Sequence, residues 1–140
     1  MDNKELNVIR QVVEKGFGNA DMVVIDQFIH DNWIEHQLTL QGGKEVLKKA
    51  ILSLEKGFPN RIYELTNYSV NGDMVWVHYK FSAIHAGSFM GIEPTGKKIT
   101  IDVMDIARIK DNQIVEHWGI PDRFTLLMQL GFLQPPPSKS

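Results

Sequence analysis

Cysteine is absent from the 140-residue sequence. Its absence excludes disulfide bridges, thiolate nucleophiles and cysteine-ligated zinc sites, and it is typical of proteins from a reducing compartment. An excess of charge of one sign is also missing, because 15 basic and 17 acidic residues give a formal net charge of −2. The sequence therefore lacks the basic patch expected of a nucleic-acid-binding protein.

Long apolar segments are missing as well. The sequence has no run of about 18 apolar residues, and its first residues lack the apolar region of a signal peptide. We therefore expect a protein that neither spans a membrane nor is exported, with a cytoplasmic location by default.

Motifs for metals and nucleotides are absent too. No H-E-x-x-H motif occurs, and His36, His85, His117 and Asp105 do not have the spacing of metal ligands on a helix or a hairpin. The segment 91–97 has the spacing G-x-x-x-x-G-K, but Lys98 replaces the Ser or Thr of a phosphate loop and a strand follows instead of a helix. We expect no metal, no other cofactor and no nucleotide.

The composition that is present is that of a globular domain. Hydrophobic residues make up 43% and charged residues 23% of the chain, both close to the averages for globular proteins. The length corresponds to one domain. We predict a single domain over residues 1–134, followed by a disordered tail over the proline-rich residues 135–140.

Apolar residues recur at helical spacing in three early segments and again near the C-terminus. The helices predicted from this spacing run from Leu6 to Phe17, from Met22 to Ile29, from Val46 to Leu54, and onward from Asp122, which caps the last of them. Between the second and third helices, residues 33–37 predict a short extended piece.

Residues 61 to 119 have the pattern of antiparallel strands. Strands are predicted over 61–70 and 74–86, joined at Asn71-Gly72, and over 99–109 and 113–119, joined at Asp111-Asn112. Helices followed by a run of strands form an α+β fold, here a curved antiparallel sheet wrapped around the N-terminal helices, with a C-terminal helix. The outer face would carry Trp76, His78 and Ile84, which is apolar enough to predict a homodimer.

Asp105 is the most unusual residue of the predicted sheet. It shares one face of its strand with five apolar residues, Ile99, Ile101, Val103, Ala107 and Ile109. A buried carboxylate must be paired, hydrogen-bonded or protonated. Asp105 therefore either stabilises the sheet through an Arg or an amide, or belongs to a functional site, where perturbed carboxylates are common.

His117 is the candidate partner of Asp105. With a plain two-residue turn at Asp111-Asn112, Asp105 would pair with Trp118, whereas a one-residue bulge would bring His117 and Gly119 onto the face of Asp105. The sequence leaves both registers open. In the bulged register the two side chains would form an acid/base pair, in which the carboxylate orients the imidazole.

Other aromatic and histidine side chains are candidates for contact with a substrate. His85 follows the inward row of its strand beside a glycine-rich loop, either at the mouth of a cavity or as a partly exposed residue. His36 and Trp33 lie in the extended piece and would line the same cavity, although Trp33 also fits a core or rim position. Two further candidates are Trp118 and Tyr79.

Three stretches of the chain carry a resemblance to a known family. They are AIHAGSFMGIEPTGKKI at 83–99, DVMDIARIKDNQIVEHWGIPD at 102–122 and LLMQLG at 126–131. Together with the order of elements, they resemble the SnoaL-like polyketide cyclases of the nuclear-transport-factor-2-like superfamily. The resemblance implies a cone-shaped α+β barrel with a deep apolar pocket, often dimeric.

The resemblance also implies a chemistry. Characterised cyclases of this family close an aromatic polyketide ring by an intramolecular aldol step, without a metal, and use an aspartate as general acid/base. Gly119 occupies the position of that aspartate, and Asp105 occupies the position of a family histidine. The sequence thus suggests metal-independent acid/base catalysis by Asp105 and His117, of the aldol cyclase, isomerase or hydrolase type. The substrate would be a small hydrophobic molecule that contains a carbonyl group or is polyketide-like. The alternatives are a binding module without catalysis and a dimeric interaction domain.

Overall fold

The computed structural model describes residues 3–134 and 136–137. Its helices are α1 (Lys4–Arg10), α2 (Met22–Phe28), α3 (Lys44–Gly57) and α4 (Arg123–Gln129). A π-helical segment, Gln11–Phe17, continues α1, and a short 3-10 turn spans Leu38–Leu40. Most of the tail for which the sequence predicts disorder, 135–140, lies outside the described residues.

Side-chain caps fix where three of these helices begin. Asn3 Oδ1 accepts a hydrogen bond from the Leu6 amide at 2.8 Å, and Asp21 Oδ1 accepts from the amides that begin α2. Asp122 Oδ1 accepts from the Thr125 amide at 3.0 Å, as predicted for α4. Each cap satisfies a backbone donor that has no partner inside the helix.

Five strands form one sheet in the order β1-β5-β4-β3-β2. Their bounds are β1 (Ile29–Glu35), β2 (Ile62–Asn71), β3 (Met74–Ile84), β4 (Lys98–Lys110) and β5 (Gln113–Pro121). Strands β2 to β5 pair antiparallel, as predicted. The curved sheet is nevertheless mixed, because β1 is longer than the expected extended piece and pairs parallel with β5.

The inner face of the sheet supports the core. On β4 the predicted row Ile99, Ile101, Val103, Asp105, Ala107 and Ile109 is buried, and the outward residues between them are more exposed. The N-terminal helices and α3 cover this face. This confirms an α+β fold in which helices lie against one side of a curved sheet and α4 follows the last strand.

A bulge in β5 sets the register at the centre of the sheet. Arg108 pairs with Glu116 and Ile109 pairs with Ile114, so Val115 is an extra residue on β5. Past the bulge, Asp105 pairs with Gly119 and Ala107 pairs with His117. Of the two registers that the sequence left open, the bulged one is present, and it turns His117 toward the inner face.

None of the helices within residues 3–134 and 136–137 has the length and the apolar character that a membrane span requires.

Candidate active site

A cavity of about 430 Å³ lies between the helices and the inner face of the sheet. Its walls are mainly apolar and come from the π-helical segment, α3 and the sheet, with α4 and the loop at Phe89 and Met90 at one side. Eight lining residues bring polar groups: Gln37, Thr39, Lys49, Ser53, Tyr63, Asp105, His117 and Arg123. A volume of this order accommodates a small organic molecule.

Asp105 and His117 meet at the wall of this cavity. His117 Nε2 lies 2.8 Å from Asp105 Oδ1, and its Nδ1 lies 2.7 Å from Glu35 Oε2. The three side chains are largely buried, with exposed fractions of 13% for His117, 10% for Asp105 and 6% for Glu35. We call Glu35, His117 and Asp105 the buried triad.

Glu35 reaches His117 from β1, where the two residues are direct neighbours across the parallel strand pair. The Trp33 indole donates to Glu35 Oε1, and the Gln37 amide donates to Oε2, each at 3.0 Å. Burial alone would raise the pKa of Glu35, but the hydrogen bonds from His117, Trp33 and Gln37 outweigh it and lower the pKa. Glu35 is therefore held as a carboxylate.

His117 is held as a cation. Both ring nitrogens face carboxylate oxygens, which accept hydrogen bonds and cannot donate them while ionised. Burial acts to lower the pKa of His117, yet the hydrogen bonds to Asp105 and Glu35 raise it from 6.5 to about 10. At neutral pH the ring therefore carries a positive charge and donates from both nitrogens.

Gly119 leaves the room that the buried triad occupies. A Cβ at this position would lie 2.8 Å from Asp105 Oδ1 and 2.9 Å from His117 Cε1, and closer still to Gln37 Oε1. A side chain there requires its neighbours to move. The absence of a side chain at 119 and the presence of a carboxylate at 105 are thus parts of one packing arrangement.

His85 does not lie at the mouth of the cavity, where the sequence placed it as a substrate-binding candidate. It is fully buried, and it is not among the residues that line the cavity. The loop after β3 folds back, so that Nδ1 accepts a hydrogen bond from the Thr95 amide at 3.2 Å, and the ring packs near Phe58. This corrects the expected position of His85.

His36 and Trp118 lie together away from the cavity lining. Their rings stack with centroids 4.5 Å apart, and His36 Nε2 bonds with Glu116 Oε2 at 2.8 Å. The bulge that turns His117 inward turns Trp118 toward the other face. The structure therefore does not support a direct contact of either ring with a bound molecule in the cavity.

Trp33 and Tyr79 are core residues outside the cavity lining. Trp33 is 9% exposed, and its indole orients Glu35, which fits the core alternative. Tyr79 is fully buried, and its hydroxyl donates to Glu14 Oε2 at 2.8 Å. Trp33 thus acts on the buried triad through Glu35, whereas Tyr79 bonds to Glu14, which does not line the cavity.

Sequence reasoning missed Glu35 and Arg123 of this region. The signal for Glu35 was present, because Trp33, Glu35 and Gln37 alternate along an extended segment and thus share a face. Its neighbour on β5 lies 82 residues away, and the parallel pairing was not predicted. Arg123 directly follows the helix cap Asp122 and was not predicted to be a site residue.

Within residues 3–134 and 136–137, no group of three or more His, Cys, Asp or Glu side chains has an arrangement that could hold a metal ion. Asp105, His117 and Glu35 are joined to each other by hydrogen bonds.

Comparison with known proteins places this chain in a family. The family model of the SnoaL-like polyketide cyclases matches residues 7–130. The aklanonic acid methyl ester cyclase DauD of Streptomyces sp. (strain C5) is 26% identical over 138 residues, covering 95% of this chain and 85% of that protein. The aklanonic acid methyl ester cyclase DnrD of Streptomyces peucetius is 28% identical over 140 residues, covering 95% and 94%.

A solved structure has the same fold. TsrD from Streptomyces laurentii superposes with a TM-score of 0.83 at 22% sequence identity, over 95% of this chain and 99% of that chain. The likeness covers nearly every element described above. At this identity it supports the fold and carries no information about activity.

Proposed function

Because the chain belongs to the SnoaL-like polyketide cyclase family, we propose that it is an enzyme that moves protons at carbon without a metal. Its substrate would be a small, mainly apolar carbonyl compound related to polyketides. The names of DauD and DnrD, both cyclases of a methyl ester, support this class of substrate. The single observation that carries the proposal is the buried triad at the wall of an apolar cavity.

The charges of the buried triad assign different roles to its members. His117 is already protonated, so it cannot accept a proton from a substrate. Asp105 Oδ2 makes no hydrogen bond within the described residues, and Asp105 lines the cavity. Asp105 is therefore the general base, and the His117 cation stabilises negative charge that develops on the substrate oxygen. Glu35 is a positioning residue, because it acts only through His117.

An aldol ring closure fits these roles. Asp105 takes a proton from the carbon next to a carbonyl, and the resulting enolate attacks a second carbonyl of the same molecule. A carbon–carbon bond forms, the attacked carbonyl becomes an alkoxide, and Asp105 returns the proton to that oxygen. The step balances without an oxidant, a reductant or a cofactor.

The position of Asp105 accounts for the glycine at 119. In the family the acid/base aspartate aligns with Gly119, which is the direct neighbour of Asp105 across the strand pair. Asp105 Oδ1 lies 2.8 Å from the place where a Cβ at 119 would stand. We infer that the carboxylate reaches the same part of the cavity from β4 instead of β5.

A binding module without catalysis is the second candidate. It is favoured by the fact that both nitrogens of His117 are engaged by carboxylates, an arrangement that also suits a purely structural charge cluster. In that case the cavity would hold a small molecule without changing it.

Proton exchange distinguishes the two candidates without knowledge of the natural substrate. An aryl β-keto ester in D₂O exchanges its acidic carbon-bound proton, and NMR measures the rate above that of buffer. We expect the native protein to accelerate proton exchange. Asp105→Asn should lose that acceleration with a nearly unchanged melting temperature, and the control Asp102→Asn, on the outer face, should behave like the native protein. Binding of the ester without any acceleration would favour the binding module.

The pH profile tests the assignment of roles. If His117 acts as a cation, acceleration should persist from neutral pH and fall only as the pH rises through about 10. If a neutral His117 were the base, acceleration would instead rise through the alkaline range as the ring loses its proton. The shape of the profile thus separates the roles of Asp105 and His117.

We also propose that the chain forms a homodimer through the outer face of the sheet. Trp76, Met104 and Ile120 lie on this face with exposed fractions of 36%, 45% and 71%. Contiguous exposed apolar surface of this kind is typical of an interface. Light scattering on native protein and on Met104→Lys would give a dimeric and a monomeric mass, whereas a monomeric native protein would contradict the proposal. A cytoplasmic location stays a prediction from the sequence.

A further inference from the structure

Arg123 differs from the other arginines of the chain. The sequence contains four, and three of them pair with carboxylates: Arg10 with Glu14, Arg61 with Glu55, and Arg108 with Asp73 and Glu116. Arg123 makes no ion pair within the described residues, although it is the one that lines the cavity.

The contacts of Arg123 leave its donors largely unused. Its Nη1 lies 3.3 Å from Met90 Sδ, a weak acceptor, and its guanidinium lies 6.0 Å from the centroid of the Phe89 ring. The neighbouring carboxylate of Asp122 is taken by Thr125, whose amide and hydroxyl both donate to it. Burial lowers the pKa of Arg123, and the nearby Tyr63 offsets this only in part.

The charges around the cavity are unbalanced. In the buried triad two carboxylates face one imidazolium, which leaves one negative charge. Arg123 and Lys49 both line the cavity and bring two positive charges, and Lys49 also has no ion pair within the described chain. Lys49 is exposed to solvent, whereas Arg123 is partly buried, so Arg123 is the cation at the cavity that a bound anion would neutralise most directly.

This inference rests on the proposed function and specifies its substrate. We propose that Arg123 binds an anionic group of the substrate, a carboxylate in the simplest case, at the side of the cavity formed by α4 and the loop of Phe89 and Met90. A planar guanidinium with free donors matches a carboxylate in geometry and charge. The apolar walls hold the body of the molecule, and the anionic end determines which apolar molecules are accepted.

A pair of probes that differ only in charge tests the inference. We would titrate 2-naphthoate and its neutral methyl ester into the full chain and follow the fluorescence of the naphthalene ring. The native protein should prefer the carboxylate. Arg123→Gln should weaken carboxylate binding roughly tenfold or more, as expected for loss of a charge-assisted hydrogen bond, and should leave ester binding nearly unchanged.

Two further variants complete the test. Arg123→Lys keeps the charge and should retain part of the preference, and Arg108→Gln removes a paired arginine of the outer face and should change neither affinity. The inference is overturned if the native protein does not prefer the carboxylate, or if Arg123→Gln affects both probes equally. This test measures binding. If the native protein had no proton-exchange activity, the proposed function would be refuted, but the role of Arg123 in carboxylate binding would still stand.

Discussion

Strand β4 supplies the aspartate of one histidine–aspartate pair on each face of the sheet, and the histidines come from β5 and β3. On the inner face His117 Nε2 lies 2.8 Å from Asp105 Oδ1, and on the outer face His78 Nε2 lies 2.6 Å from Asp102 Oδ1. The inner side chains are 13% and 10% exposed, whereas the outer ones are 25% and 46% exposed. The two pairs are alike in chemistry and length, so burial is what separates them.

The buried and the exposed histidine rings also differ in the groups that surround them. The second nitrogen of His117 faces the carboxylate of Glu35, while that of His78 faces the side-chain amide of Asn67. Asp102 also binds Lys80 at 2.7 Å and is open to water. Solvent screens such a surface pair and leaves it little influence on stability. A short histidine–aspartate distance therefore does not identify a site unless a cavity and a second charge accompany it.

Replacing each histidine should give the largest difference in stability between the two pairs. His117→Gln leaves Asp105 and Glu35 buried without their shared cation, so we expect a loss of about 3–5 kcal/mol in the free energy of unfolding. His78→Gln, made in the Met104→Lys background so that the proposed dimer does not cover the outer face, should give a change within experimental error, because water then solvates its partner. Urea unfolding at pH 7 measures both. Equal losses would contradict the importance of burial.

A carboxylate at 119 should disturb the inner pair by crowding it. Gly119→Asp places new atoms against Asp105 and Gln37 and adds a like charge, so we expect a loss of about 1–3 kcal/mol in the free energy of unfolding. The double variant Gly119→Asp with Asp105→His restores the arrangement of the family and should recover much of that loss. Additive losses in thermal or urea unfolding would show that the two positions are not coupled.

The strand faces and the helices could be predicted from the sequence. The alternation along β3 and β4 identified the inner row correctly, because a buried face requires apolar residues at every second position. The spacing of apolar residues located the helices for a similar reason. These patterns are local, and local sequence records them well.

The features that the sequence left open or missed depend on contacts between distant segments of the chain. The bulge at Val115 changes which side of β5 faces Asp105, yet the turn at Asp111-Asn112 fits either register. The pairing of Glu35 with His117 requires β1 to add in parallel at the edge of the sheet, which no short pattern records. His85 was misplaced because the loop that covers it through Thr95 returns from ten residues downstream.

The pH dependence of stability should sharpen the difference between the two faces. The folded state raises the pKa of His117 from 6.5 to about 10, so the resulting stabilisation is complete below about 6.5 and is lost as the pH rises through about 10. Within this window the free energy of unfolding should fall by up to about 1.4 kcal/mol per pH unit. Urea unfolding from pH 6 to 10 measures the slope, and His117→Gln should flatten it. An unchanged slope in that variant would assign the effect to other groups.

The outer pair should yield the smallest effect. Hydrogen bonds from Lys80 and His78 lower the pKa of Asp102, so its contribution is present above its ordinary value of 3.8 and is lost as the pH falls through the lowered one. Because the proposed dimer would cover the outer face, the test is made in Met104→Lys, in which Asp102 is exposed as in the single chain. In that background we expect Asp102→Asn to leave the melting temperature unchanged at pH 7 and to alter it only slightly near pH 3. Scanning calorimetry at both pH values checks this. A marked loss at pH 7 in the Met104→Lys background would contradict the solvent screening of the outer pair.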